Sequence, residues 1–71
     1  MNFKVNDKVV YEDNSIPNNL VMNVKRGTYT SSGMKMVSVE LPSGIAHAFA
    51  EMLRHATDEE KLAGIRIEQV K

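Results

Sequence analysis

The chain contains no cysteine, which removes two devices that small domains use to supplement a thin core, disulfides and thiolate-bound zinc. Long apolar runs are missing too. The longest nearly uncharged one, Gly44 to Ala50, includes His47 and falls far short of the roughly 20 apolar residues that cross a bilayer. The opening Met1-Asn2-Phe3-Lys4-Val5-Asn6-Asp7 holds no signal-peptide core, so we expect a soluble, cytoplasmic protein with no membrane partner. Excess charge of either sign is also lacking, with nine lysines and arginines against nine aspartates and glutamates. Nucleic-acid binders draw most of their affinity from counterion release and usually carry a basic balance, so neutrality weighs against nucleic acid as the main partner. Finally, no catalytic signature is present. Ser31 and Ser32 stand in a polar stretch with no motif around them, and so short a chain has little room for a walled pocket. Neither an enzyme nor a cofactor is expected.

What is there makes one domain, residues 1–71. A chain of this size buries only about 60% of its unfolded surface, so little stability is spare. Its charge is mildly polarised. Residues 1–38 carry Lys4, Lys8, Lys25, Arg26 and Lys35 against Asp7, Glu12 and Asp13, whereas residues 39–71 are acidic by two. An ordinary solvated surface produces such a difference.

Most of the chain has the period of short strands. Phe3 and Val5 alternate, Asn6-Asp7 suits a tight bend, and Lys8-Val9-Val10-Tyr11 is rich in β-formers. Residues 12–19 are nearly all turn formers, with Ile16 and Pro17 placed to pack over one end of the core. Residues 20–26 alternate, putting Leu20, Met22 and Val24 on one face. Gly27 to Gly33 has the composition of a flexible hairpin tip. Met34 to Leu41 forms a third strand, in which a change of face near Met36 and Val37 would mark a bulge. Pro42-Ser43-Gly44 is a tight turn. Residues 45–56 fit two patterns. A helix would carry Ile45, Phe49, Met52, Leu53 and Ala56 on one stripe, whereas a strand would put Ile45, His47 and Phe49 opposite Ala46 and Ala48. Alanine favours the helix and the short preceding turn favours a hairpin.

The most legible run is Leu53 to Gly64. Thr57 and Glu60 have the spacing of a capping box, Asp58, Glu59 and Glu60 suit the positive end of a helix dipole, and Gly64 supplies a left-handed stop. A short helix over residues 58–63 follows, with Ile65, Ile67 and Val70 alternating in an extended tail.

Two pieces resemble known patterns. Phe3-Lys4-Val5-Asn6-Asp7-Lys8-Val9 is similar to the F-x-V-G-D-x-V opening of small SH3-like barrels, with Asn6 in place of glycine. Asparagine also tolerates the left-handed conformation, so the turn survives. Leu53-Arg54-His55-Ala56-Thr57-Asp58-Glu59-Glu60 resembles the L-R-H-A-T-x-E-E ending of small uncharacterised phage and prophage proteins. That resemblance brings no catalytic residues. It implies a mobile-element origin and a strand before Leu53. The expected fold is therefore mainly β, a small SH3-like antiparallel barrel of four to five strands with one short C-terminal helix. Leu62 would pack against an open end of the barrel, and Ile65 and Ile67 would continue the seal.

Candidate functional residues are few. His47 and His55 have no close ligand cluster, so no metal site is expected. His55 suits a structural bond to a backbone carbonyl before the cap. Lys25, Arg26, Tyr29 and Lys35 form the one basic and aromatic grouping, suited to an acidic protein patch or a phosphate backbone, or simply to a solvated hairpin edge. Arg54 is suited to a partner, or to an ion pair with Glu51 or a helix carboxylate. Met22, Met34, Met36 and Met52 suit either an adaptable surface or core gaps, more often the latter. The leading expectation is a non-enzymatic interaction module of phage or prophage origin that binds, and regulates or inhibits, a host protein. The alternative is a nucleic-acid-binding barrel using the hairpin from Lys25 to Lys35.

Overall fold

A computed structural model describes residues 2–13 and 15–67. Five strands, β1 (Lys8–Tyr11), β2 (Met22–Ser31), β3 (Met34–Leu41), β4 (Gly44–Phe49) and β5 (Leu53–His55), form one antiparallel sheet in the order β4-β3-β2-β1-β5. A 3₁₀ turn, Ala50–Met52, leads from β4 into β5, and helix α1 (Asp58–Ala63) follows. The inner faces of all five strands feed a single core of Phe3, Val9, Met22, Val24, Val37, Val39, Ala48, Ala50 and Leu53. A flat sheet would hold its edge strands about 19 Å apart. One shared core means that the sheet curls into the small barrel expected.

The ambiguous residues 45–49 are strand. They pair with β3 in unbroken register from Leu41↔Gly44 to Met36↔Phe49, so the hairpin ladder overrides alanine's helix preference. In β3 it is Val37 and Val39 that face the core. The bulge lies elsewhere than the sequence suggested. It is β2, not β3, that carries extra residues, between Val24 and Arg26 and again between Arg26 and Tyr29. Nor is Gly27–Gly33 a loose tip. Strand β2 runs on to Ser31, and the turn is Ser32-Gly33 alone, both at positive φ (52° and 78°) as a tight two-residue hairpin requires. Gly27 serves close packing instead. A Cβ there would sit 2.6 Å from the Phe3 carbonyl oxygen, at the point where Thr28 N–H donates to that oxygen and Phe3 N–H donates to Thr28 Oγ1.

The N-terminal bend forms around Asn6, at φ 76°. It buries Phe3 but turns Val5 out, 56% exposed. Leu20 bridges to Ile65 and is partly exposed, Ile16 is half-buried and Pro17 is exposed. Among the methionines of the described residues Met22 is a full core residue, while Met36 is half-buried and Met34 and Met52 are exposed.

Helix α1 starts on the expected capping box and stops on Gly64 at φ 77°. It does not seal the barrel with Leu62, which is 91% exposed; its buried residue is Glu60. Capping at Thr57 sets the phase. With Glu60 turned inward as the third helical residue, Leu62 lies about 200° further round and must point out. Ile65 is also exposed and Ile67 half-buried, whereas Val70 lies outside the described residues. No helix among the described residues is long and apolar enough to cross a membrane.

Candidate functional site

Strand β4 is built with its sizes reversed. The small Ala46 and Ala48 face inward, while Ile45, His47 and Phe49 face out. Cross-strand register carries this outer face onto β3 and β2 as two rows, His47–Ser38–Arg26 and Phe49–Met36–Tyr29. Strict alternation from Val24 would have aimed Arg26 at the core. The first bulge in β2 turns it outward, and the second restores the phase so that Tyr29 shares its side.

The polar row is tightly tied. The Arg26 guanidinium carbon lies 4.1 Å from the centre of the Tyr29 ring, a cation–π contact. Tyr29 Oη and Ser38 Oγ approach His47 Nδ1 at 3.0 and 2.9 Å, and the Tyr29 and His47 rings meet edge to face. Beside this row, Ile45, Met34 and Phe49 are exposed by 54%, 48% and 36%. Ser38 is buried, and among the described residues no carboxylate bonds His47. Tyr29, Ser38 and His47 form one hydrogen-bonded cluster. They brace one another and hold the aromatic rings in place.

The sequence grouped Lys25, Arg26, Tyr29 and Lys35, and the structure divides them. Arg26 and Tyr29 form a stacked pair. Lys25 is 3.4 Å from Glu40, both about half-exposed. Lys35 alternates to the other side of β3 from Met34 and Met36. At the end of the strand it borders a depression of about 330 Å³ together with Gly33, Met34, Phe49, Ala50 and Glu51.

Arg54, on β5, takes the ion pair with a helix carboxylate rather than with Glu51. Its two terminal nitrogens donate to the two Glu60 oxygens at 2.6 and 2.9 Å. Glu60 also accepts from the Thr57 and Ile67 backbone N–H groups. The Arg54 bonds, followed by those two N–H groups, hold the Glu60 pKa down to about 2 against its burial; the same contact raises that of Arg54. Among the described residues His55 bonds no backbone carbonyl. Its Nε2 lies 3.2 Å from Asp7 Oδ2 and its ring packs against Phe3 at 4.8 Å between centres, the two planes tilted by 51°. The Lys4 backbone N–H, then His55, lowers the Asp7 pKa. Among the described residues no three His, Asp or Glu side chains are placed to hold a metal ion.

Sequence reasoning passed over Ile45, Phe49 and Met34 as an exposed set. A signal was available in the alternation of two alanines with three large residues, since an outward run of large side chains against an inward run of small ones inverts the usual pattern. Comparisons of the chain with protein-family models, curated proteins and solved structures found no match.

Proposed function

We propose that this chain is a non-enzymatic interaction module that binds another protein through the outer face of β2, β3 and β4. The observation that supports this reading is the inverted build of β4. It presents Ile45 and Phe49 beside Met34 and Met36, next to the stacked Arg26–Tyr29 pair. Aromatic residues, methionine and arginine are the side chains enriched in protein interfaces, and lysine and glutamate are depleted there. A phosphate backbone is the poorer fit, because Lys25 is paired with Glu40 and Lys35 lies on the other side of β3. The resemblance of Leu53–Glu60 to the ending of small phage and prophage proteins is the ground for the partner's class: a host protein, regulated or inhibited by the module.

The test is site-specific photocrosslinking in nuclease-treated host lysate, with the reactive group at Ile45 or Met34 and, as control, at Lys8. A protein adduct from the first two positions, absent from the control and abolished by Phe49→Glu, is the expected result. Equal adducts from all three positions would overturn the assignment of the face. RNA or DNA binding that falls steeply with salt and is lost on Arg26→Ala would replace it with the nucleic-acid reading.

A further inference from the structure

We infer that the chain forms a two-fold symmetric dimer by antiparallel pairing of β4 with β4 of a second copy, centred on His47. Strand β4 is an edge of the sheet. Natural edges are usually blunted by lysine, proline, a bulge or a cover. Here Gly44–Phe49 has none of the first three: it holds no charged residue and no proline, and its register with β3 is continuous over six residues. The opposite edge is different. Strand β5 is only three residues long and is flanked by α1 through the Arg54–Glu60 contact.

Backbone direction and sequence then select a second copy as the occupant. The two-residue turn Pro42-Ser43 makes Leu41↔Gly44 a hydrogen-bonded pair, and bonded and non-bonded pairs alternate along the ladder. Gly44, Ala46 and Ala48 therefore use their backbone groups on β3. The N–H and C=O groups of Ile45 and His47 and the N–H of Phe49 point to the free side with no backbone partner among the described residues, while the Phe49 C=O already accepts the first bond of the 3₁₀ turn. The run Ile45-Ala46-His47-Ala48-Phe49 is nearly a palindrome about His47. Antiparallel self-pairing sets Ile45 of each copy opposite Phe49 of the other, with alanine opposite alanine behind them. All three outward-pointing residues fall into hydrogen-bonded register, and no like charges meet. A β-branched residue facing an aromatic is a favourable cross-strand pair. The dimer lays the two outer faces side by side as one continuous surface, and its formation needs no other partner.

One strand pair covers less than the roughly 800 Å² per partner of a standard interface, so the association is expected in the micromolar range and above. The experiment uses the purified full chain alone. Sedimentation over rising concentration should show mass moving from the 8.0 kDa of one chain toward twice that value. In the same series the backbone amides of Ile45, His47 and Phe49 should gain hydrogen-exchange protection, with those of Ala46 and Ala48 protected throughout. Because the chain has no cysteine of its own, His47→Cys should give a disulfide-linked dimer under mild oxidation much faster than Lys25→Cys. Ile45→Lys, still folded by circular dichroism, should remain monomeric. A monomer at every concentration with the three amides unprotected would overturn the inference. So would a dimer whose new protection falls on Leu53–His55.

Discussion

Glu60 offers the sharpest test of what holds the helix to the barrel. Among the described residues it is the one charged side chain that is wholly buried, and its pKa is held down to about 2 against an ordinary value of 4.5. A group whose folded pKa is depressed contributes in full above its unfolded value and loses that contribution as pH falls through the folded one. The difference is roughly two and a half pH units at about 1.4 kcal/mol each, or about 3–4 kcal/mol lost between about pH 5 and about pH 2. A chain of this length has only about 4–10 kcal/mol in total, so acid should bring it close to unfolding. Urea denaturation followed by circular dichroism at a series of pH values measures this directly. The comparison is with Glu60→Gln, which keeps the shape but does not titrate. Its absolute stability will be lower, because Arg54 loses its carboxylate, yet its decline with acid should be shallower than the native chain's by about 3–4 kcal/mol. Parallel acid curves for the two proteins would refute the reasoning and return Glu60 to the status of an ordinary capping residue.

Two further substitutions probe the fold. Thr57→Ala removes the oxygen that accepts from Glu60 N–H at 3.2 Å and should cost about 1 kcal/mol, lowering the melting temperature by roughly 4–8 °C; an unchanged melting point would contradict the cap. Gly27→Ala forces a methyl to 2.6 Å from the Phe3 carbonyl oxygen and should destabilise by about 1–3 kcal/mol, with loss of amide protection at Thr28, whereas native stability would show that the N-terminal segment is not docked there.

The parts of the fold that were legible are those in which local chemistry and tertiary structure agree. The Thr57–Gly64 helix carries its own start and stop signals, and β1 is dense in β-formers. Sequence patterns failed where a long-range contact decided the outcome. Nothing near Gly27 announces that Phe3 will press against it, so a strand interior looked like a loop. Alternation in β2 is broken by two bulges whose cause lies in its pairing with β3, and with it went the true side of Arg26. Leu62 looked like a core residue because it is apolar. The phase set by Thr57 gave the inward position to Glu60 instead, and a charged residue at that place finds its partner, Arg54, only through the fold. The candidate face was half visible: Arg26 and Tyr29 were grouped, while Ile45 and Phe49 were placed on one side of a strand but not recognised as facing water.

Arg66 donates to the carbonyl oxygens of Tyr11, Asp13 and Ile16 at 3.2, 2.8 and 2.9 Å, and its backbone N–H donates to that of Asn19. Residues of the turn-rich loop after β1 are thus gathered around a side chain made more than forty positions later. Val10 likewise waits for Arg54, its opposite number on β5. On a ribosome the first strand and its loop emerge long before Arg54 and Arg66 exist, while the β2–β3–β4 meander can close on itself as soon as it is exposed. Assembly is therefore expected to run from the middle outward, with the N-terminal segment the last to dock, at the millisecond-to-second pace of folds dominated by distant pairings. A chain halted before Arg66 would keep its hairpins and leave its beginning undone.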